Sequence, residues 1–128
     1  MAQNNRVFVG FAKEDITCRD FLVGQAKNNN SPFEFVDMSV KEPWSSEWKT
    51  KCREKIKRCD GFIALISKNT SGADGARWEI KCADEESIPI LGIYCYSNDK
   101  PATLPAEISG YPVKNWTWPN IENFIDSL

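Results

Sequence analysis

The sequence of 128 residues contains no histidine. That absence excludes Ser-His-Asp and Cys-His activation of a nucleophile and any histidine-ligated zinc site. Catalysis here has to rest on carboxylates, hydroxyls, lysine or backbone groups. Long apolar runs are missing too: FIALI and ILGIYCY fall far short of the ~20 residues that span a bilayer. No phosphate-cradling G-x-x-x-x-G-K-[ST] run occurs. The opening MAQNNRVFVGFAKED has no basic segment leading into an apolar stretch, so no secretory signal is expected. Cysteines stand at 18, 52, 59, 82 and 95, an odd number with no C-x-x-C pair. They are expected to be reduced thiols, and the compartment cytoplasmic. A net charge of −2 gives no general electrostatic reason to expect nucleic acid or an anionic membrane as partner.

What is present is ordinary for a globular chain. At 41% hydrophobic and 27% charged residues, the composition argues against disorder. The length suits one domain, residues 1–128, able to bury its own core. RVFVGF (6–11), GFIALIS (61–67) and IPILGIYCY (88–96) read as strands buried on both faces. FEFVDM (33–38) alternates and reads as a strand nearer the sheet edge, and Tyr111–Trp116 as a last strand. Between them, Thr17 to about Lys27 carries Phe21, Leu22 and Ala26 at helical spacing. Trp44, Trp48, Cys52, Ile56 and Cys59 form one stripe of a second helix, with Ser45 or Ser46 as N-cap. Ala76 to about Glu86 is a third helix with Ile80 and Ala83 inward. Asn120–Leu128 is a last one, packing Ile121, Phe124, Ile125 and Leu128.

This alternation predicts right-handed βαβ units in an α/β fold: a flavodoxin-like three-layer sandwich on a five-stranded parallel sheet, order 2-1-3-4-5. Ligands bind such sheets beyond the carboxyl ends of the strands, where strand order reverses. The loop Gly10-Phe11-Ala12-Lys13-Glu14-Asp15 and the loop Lys68–Gly75 then converge there. Glu79 shares a helix face with Ala76 and Ala83, at the edge of the buried side. A carboxylate so placed is a site candidate; on spacing alone the solvated helix glutamate is the favoured reading.

Other chemistries for this fold fit less well. A phospho-receiver needs an aspartate ending the third strand, and Ile66-Ser67-Lys68 offers none. GFAKED is too acidic and bulky to cradle a flavin phosphate. The basic run KTKCREKIKR is interleaved with Glu47 and Glu54 and reads as a solvated helix face. Trp44 and Trp48 read as core anchors. The cysteines read as small buried residues, with Cys18 and Cys82 nearer the surface.

RVFVGFAKED resembles the first motif of TIR domains, a strand running into an aromatic-small-polar-acidic loop. GFIALISKNT resembles the strand before that family's catalytic helix, GARWEIKCA the helix itself, and IPILGIYCY the following core strand. Together they cover most of residues 6–96, in order. The resemblance is nearest to the bacterial TIR-like branch that includes the TIR subunit of the Thoeris antiphage defence system. It implies an enzyme that consumes NAD+ as substrate, with no further cofactor and no metal. Such an enzyme releases nicotinamide and makes a cyclic ADP-ribose-type signal for a separate effector. Homo-oligomerisation is implied as well. By this match Glu79 takes the catalytic position. Phe11 and Ala12, with their loop neighbours Gly10 and Asp15, take positions lining the nicotinamide and ribose pocket. Trp78, directly before Glu79, is counted with the substrate-binding residues. Gly75 stands where the family's tryptophan is expected, four before the glutamate. The alternative is a non-enzymatic TIR domain acting by homotypic assembly, since a fold does not fix a function.

Overall fold

The computed structural model describes residues 5–28, 33–36, 46–96 and 98–128. Its elements run β1 (Asn5–Gly10), a 3-10 turn (Lys13–Asp15), α1 (Ile16–Asn28), β2 (Phe33–Val36), α2 (Ser46–Lys57) and β3 (Gly61–Ile66). A second 3-10 turn (Thr70–Gly72), α3 (Asp74–Glu85), β4 (Ile90–Tyr94), a third turn (Ala106–Ile108), β5 (Val113–Lys114) and α4 (Trp118–Asp126) follow. The strands form one sheet, ordered β2-β1-β3-β4-β5, and every pairing is parallel. No helix among the described residues is long and apolar enough to cross a membrane.

The apolar runs take the centre of the sheet because a parallel strand covered by helices on both faces needs apolar side chains on both. All of β3 is buried, as are Val7 to Gly10 of β1. Alternation then sorts the side chains into two cores. Phe8, Phe62, Ala64 and Ile66 face Trp48, Cys52 and Ile56 of α2 and Ile80 and Ala83 of α3. Val7, Val9, Ile63, Leu65, Leu91 and Ile93 face Leu22 and Ala26 of α1 and Ile121 and Ile125 of α4. Phe8 and Phe62 stack across β1 and β3, ring centroids 5.4 Å apart.

Several expectations need correction. In α1 the inward stripe is Cys18, Leu22 and Ala26, four residues apart, and Phe21 is 66% exposed. A one-residue step turns a helix by about 100°, so Phe21 and Leu22 cannot share the core face. β5 pairs only over Val113–Lys114. Pro112 before it has no N–H for the ladder, and Trp116 turns away, its Nε1 donating to Gln25 at 2.8 Å. Trp44 and Ser45 lie outside the described residues, whereas Ser46 begins α2.

The thiols differ most from expectation. Cys18, in the first turn of α1, and Cys95, just after β4, form a disulfide across 77 positions of sequence, with Cα atoms 6.1 Å apart. Parallel packing sets α1 against the carboxyl end of β4, which sequence spacing does not reveal. Closing so long a loop contributes roughly 4 kcal/mol in the chain-entropy picture. Cys82 is not near the surface but buried, along with Cys52 and Cys59.

The two faces of α1 yield a direct test. Leu22→Ala leaves a cavity under the sheet and should cost about 2–5 kcal/mol in urea unfolding. Phe21→Ser, on the exposed face, loses its edge contact with Trp116 and should cost only about 0.5–1.5 kcal/mol.

Candidate active site

The carboxyl ends of β1 and β3 are adjacent, and the loops leaving them are tied together. Asp15, closing the turn after β1, is buried, so its carboxylate needs donors. Ser67 Oγ donates to Oδ2 at 2.5 Å and Asn69 Nδ2 to Oδ1 at 3.1 Å. Both donors sit just past β3. Ser67 Oγ in turn accepts from the Asn69 backbone N–H at 3.0 Å, and Thr70 Oγ1 accepts from the Ser67 backbone N–H at 2.9 Å. The Asp15 N–H closes its own turn onto Ala12 O at 2.8 Å.

Glu79 lies on α3, which starts at Asp74 after the second 3-10 turn. It is only 6% exposed, so the solvated-glutamate alternative does not hold. The carboxylate lies beside the last residue of β1. A Cβ built on Gly10 would stand 3.4 Å from Glu79 Oε1 and 2.6 Å from Phe62 Cζ. Glycine suits the position because a side chain would run into the Phe62 ring. Cys52 of α2 donates its S–H to Glu79 Oε2, Sγ to oxygen 3.6 Å. Burial, then the Glu79 charge, pushes the Cys52 thiol far above its ordinary pKa. It is therefore a neutral donor and not a nucleophile. Burial likewise lifts the Cys82 thiol to about 11.

The remaining sequence candidates are distributed around this centre. Ala12 is buried at the entry to the turn, and Asp15 is engaged by Ser67 and Asn69. Phe11 is buried in the α1/α4 layer, with the Arg19 guanidinium 5.8 Å from its ring centre. It thus lies across the sheet from Glu79. Trp78 turns toward α2: its ring centre is 5.5 Å from that of Trp48, and the Arg53 guanidinium lies 5.6 Å over it. Arg53 is itself paired with Glu86 at 2.6 Å and Glu85 at 2.8 Å. The structure therefore brings Gly10 to Glu79, sets Ala12 and Asp15 in the adjoining turn, and directs Phe11 and Trp78 elsewhere.

The family model for the Thoeris protein ThsB, TIR-like domain, matches residues 8–100. The chain belongs to that TIR-like family. This TIR-like domain is also similar to a prokaryotic SEFIR domain solved by crystallography. The TM-score is 0.60 at 12% identity, covering 97% of this chain and 95% of the other, which is a likeness of fold. No curated protein sequence matches it. The matched span of the TIR-like domain takes in Gly10, the Asp15 tie and Glu79 together.

Sequence reasoning missed three residues of this centre. Cys52 was legible only as one member of an apolar stripe. Ser67 and Asn69 follow a wholly apolar strand, which marks a loop but says nothing of a partner more than fifty residues earlier.

Two outcomes check this geometry. Ser67→Ala removes a donor to a buried carboxylate and should cost about 1–3 kcal/mol in urea unfolding. Cys52 and Cys82 should resist iodoacetamide in the native protein at pH 8 and react fully once unfolded. Because the folded Cys82 pKa is raised from 9.0 to about 11, its contribution is complete below pH 9 and lost as pH rises through 11. The urea midpoint should fall over that window, and less so in Cys82→Ala.

Proposed function

We infer that this TIR-like domain cleaves NAD+ between ribose and nicotinamide, with the Glu79 carboxylate as the catalytic residue. A cyclic ADP-ribose-type product then activates a separate effector of antiphage defence. The observation that carries this reading is the burial of the Glu79 carboxylate beside the end of β1, at the strand-order reversal where open parallel sheets bind ligands.

The chemistry suits what the chain offers. Breaking the bond to a cationic nicotinamide passes through an oxocarbenium-like state, as in glycoside hydrolysis. Nicotinamide leaves neutral, so no general acid is needed to protonate it, and no histidine is needed either. A carboxylate held near the ribose stabilises the positive charge as it develops. Cys52 supports this from behind: its thiol hydrogen bond restrains Oε2. Gly10 allows the carboxylate to stand against the strand end, and Ala12 keeps the first turn small. Asp15 and Trp78 act at one remove, the first by holding the loops together, the second by packing α3 on α2. With water excluded, a nucleophile within the bound nucleotide closes the ring.

Purified protein incubated with NAD+ should release nicotinamide. Glu79→Gln should lower that release by about a hundredfold or more while the circular dichroism spectrum is unchanged. Equal turnover in the variant would overturn the role of Glu79. Mass spectrometry of the mixture distinguishes a cyclised product from linear ADP-ribose. Untouched NAD+ at high protein concentration, together with self-association, would favour the interaction-domain reading instead.

A further inference from the structure

On the layer opposite Glu79, Thr17, Cys18, Phe21, Cys95, Tyr96 and Trp116 line a cavity of about 250 Å³. The Cys18–Cys95 disulfide forms part of its wall. Trp116 is fixed by its hydrogen bond to Gln25, and Phe21 meets it edge-on with ring centres 5.8 Å apart. Cys18 is buried, Cys95 is half-buried, and Phe21 and Tyr96 are exposed, so Cys95 is the more open end of the sulfur–sulfur bond.

The disulfide ties the segment that follows Asp15 to the end of β4, beside the end of β3 that Asp15 holds. Cys18 lies three residues beyond Asp15, in the helix that continues directly from its turn. The Cys95 N–H donates to Ile66 O at 2.8 Å, and Ser67, the next residue, donates to Asp15. One covalent tie and one polar tie therefore hold the loop after β1 to the carboxyl ends of β3 and β4.

We propose that the Cys18–Cys95 pair is a thiol-exchange site for low-molecular-weight monothiols of the glutathione class, and that its state sets how firmly the loop after β1 is held. The incoming thiolate attacks Cys95 Sγ and forms a mixed disulfide there. The Cys18–Cys95 bond breaks, and Cys18 Sγ leaves with the electron pair and takes a proton from water. A second thiolate attacks the small molecule's sulfur in the mixed disulfide and releases Cys95 as a thiolate, which is protonated in turn. Two monothiols are thereby oxidised to one disulfide, and the protein gains two thiols. Cys52, Cys59 and Cys82 take no part because all three are buried. Nothing in this proposal depends on NAD+ cleavage.

The experiment starts from folded protein equilibrated with glutathione disulfide, then transferred to millimolar glutathione. Before transfer no cysteine should be alkylated by iodoacetamide. Afterwards Cys18 and Cys95 alone should be alkylated, and rapid acid quenching should trap the glutathione adduct on Cys95. Hydrogen exchange at the amides of residues 11–18 should quicken about tenfold, while β3 amides keep their protection. Cys18→Ser should show the faster exchange with or without glutathione. The proposal is overturned if the bond fails to form in folded protein or resists glutathione until the protein unfolds. It is equally overturned if the adduct forms on Cys18 alone, or if reduction leaves exchange at residues 11–18 unchanged; these wild-type outcomes decide even if the variant fails to fold.

Discussion

A buried carboxylate is costly unless its oxygens are hydrogen-bonded, and Asp15 meets that demand across more than fifty residues of chain. Its donors, Ser67 and Asn69, stand just past β3. The loop after β1 and the loop after β3 are for that reason one object and not two. Everything at this end of the sheet is referred to that joint. α1 departs from it on one side, and α3 reaches Glu79 from the other. The sheet brings the strand ends side by side, but it does not fix what leaves them; the Asp15 network does.

Given that joint, the position of Glu79 follows from volume. β1 ends in glycine because the Phe62 ring already fills the space a side chain would take. The space left at the backbone is then bordered by a carboxylate from α3. Cys52 is well matched to the remaining oxygen. A serine there would donate more strongly but would be costlier to bury among Phe8, Ile56 and Ile80, whereas a thiol packs as a small apolar residue. The same burial that lets it pack raises its pKa, so it stays a donor.

The sequence disclosed the parts that depend on periodicity. Apolar runs at β1, β3 and β4 named the sheet centre, and the stripe of Trp48, Cys52 and Ile56 named the inner face of α2, with Cys59 buried just past the helix end. The parallel α/β character followed from their alternation, and the place of Glu79 at a helix edge was readable too. What stayed hidden depends on distance in space without a pattern in sequence. Asp15 reads as one more acid in a polar loop, and its partners read as turn residues. Cys18 and Cys95 lie 77 positions apart, and an odd cysteine count argued against any pair. Phe21 beside Leu22 illustrates a different loss: two apolar neighbours on a helix cannot both face inward, and composition does not say which does. Packing chose the stripe with Cys18 and Ala26, which carries the smaller side chains that α1 needs to approach the sheet.

The two sides of the sheet also differ in what they permit. The α2/α3 side holds Glu79, Cys52 and the Phe8–Phe62 stack, all enclosed, and a charge there is sensitive to small displacements because little water is present to screen it. The α1/α4 side holds exposed aromatic rings around a cavity and can respond to solutes. Gly10 and Phe11 are consecutive residues that face these opposite sides, Gly10 toward Glu79 and Phe11 toward Arg19. The two layers therefore meet at a single peptide unit, at a strand end held between two close-packed cores.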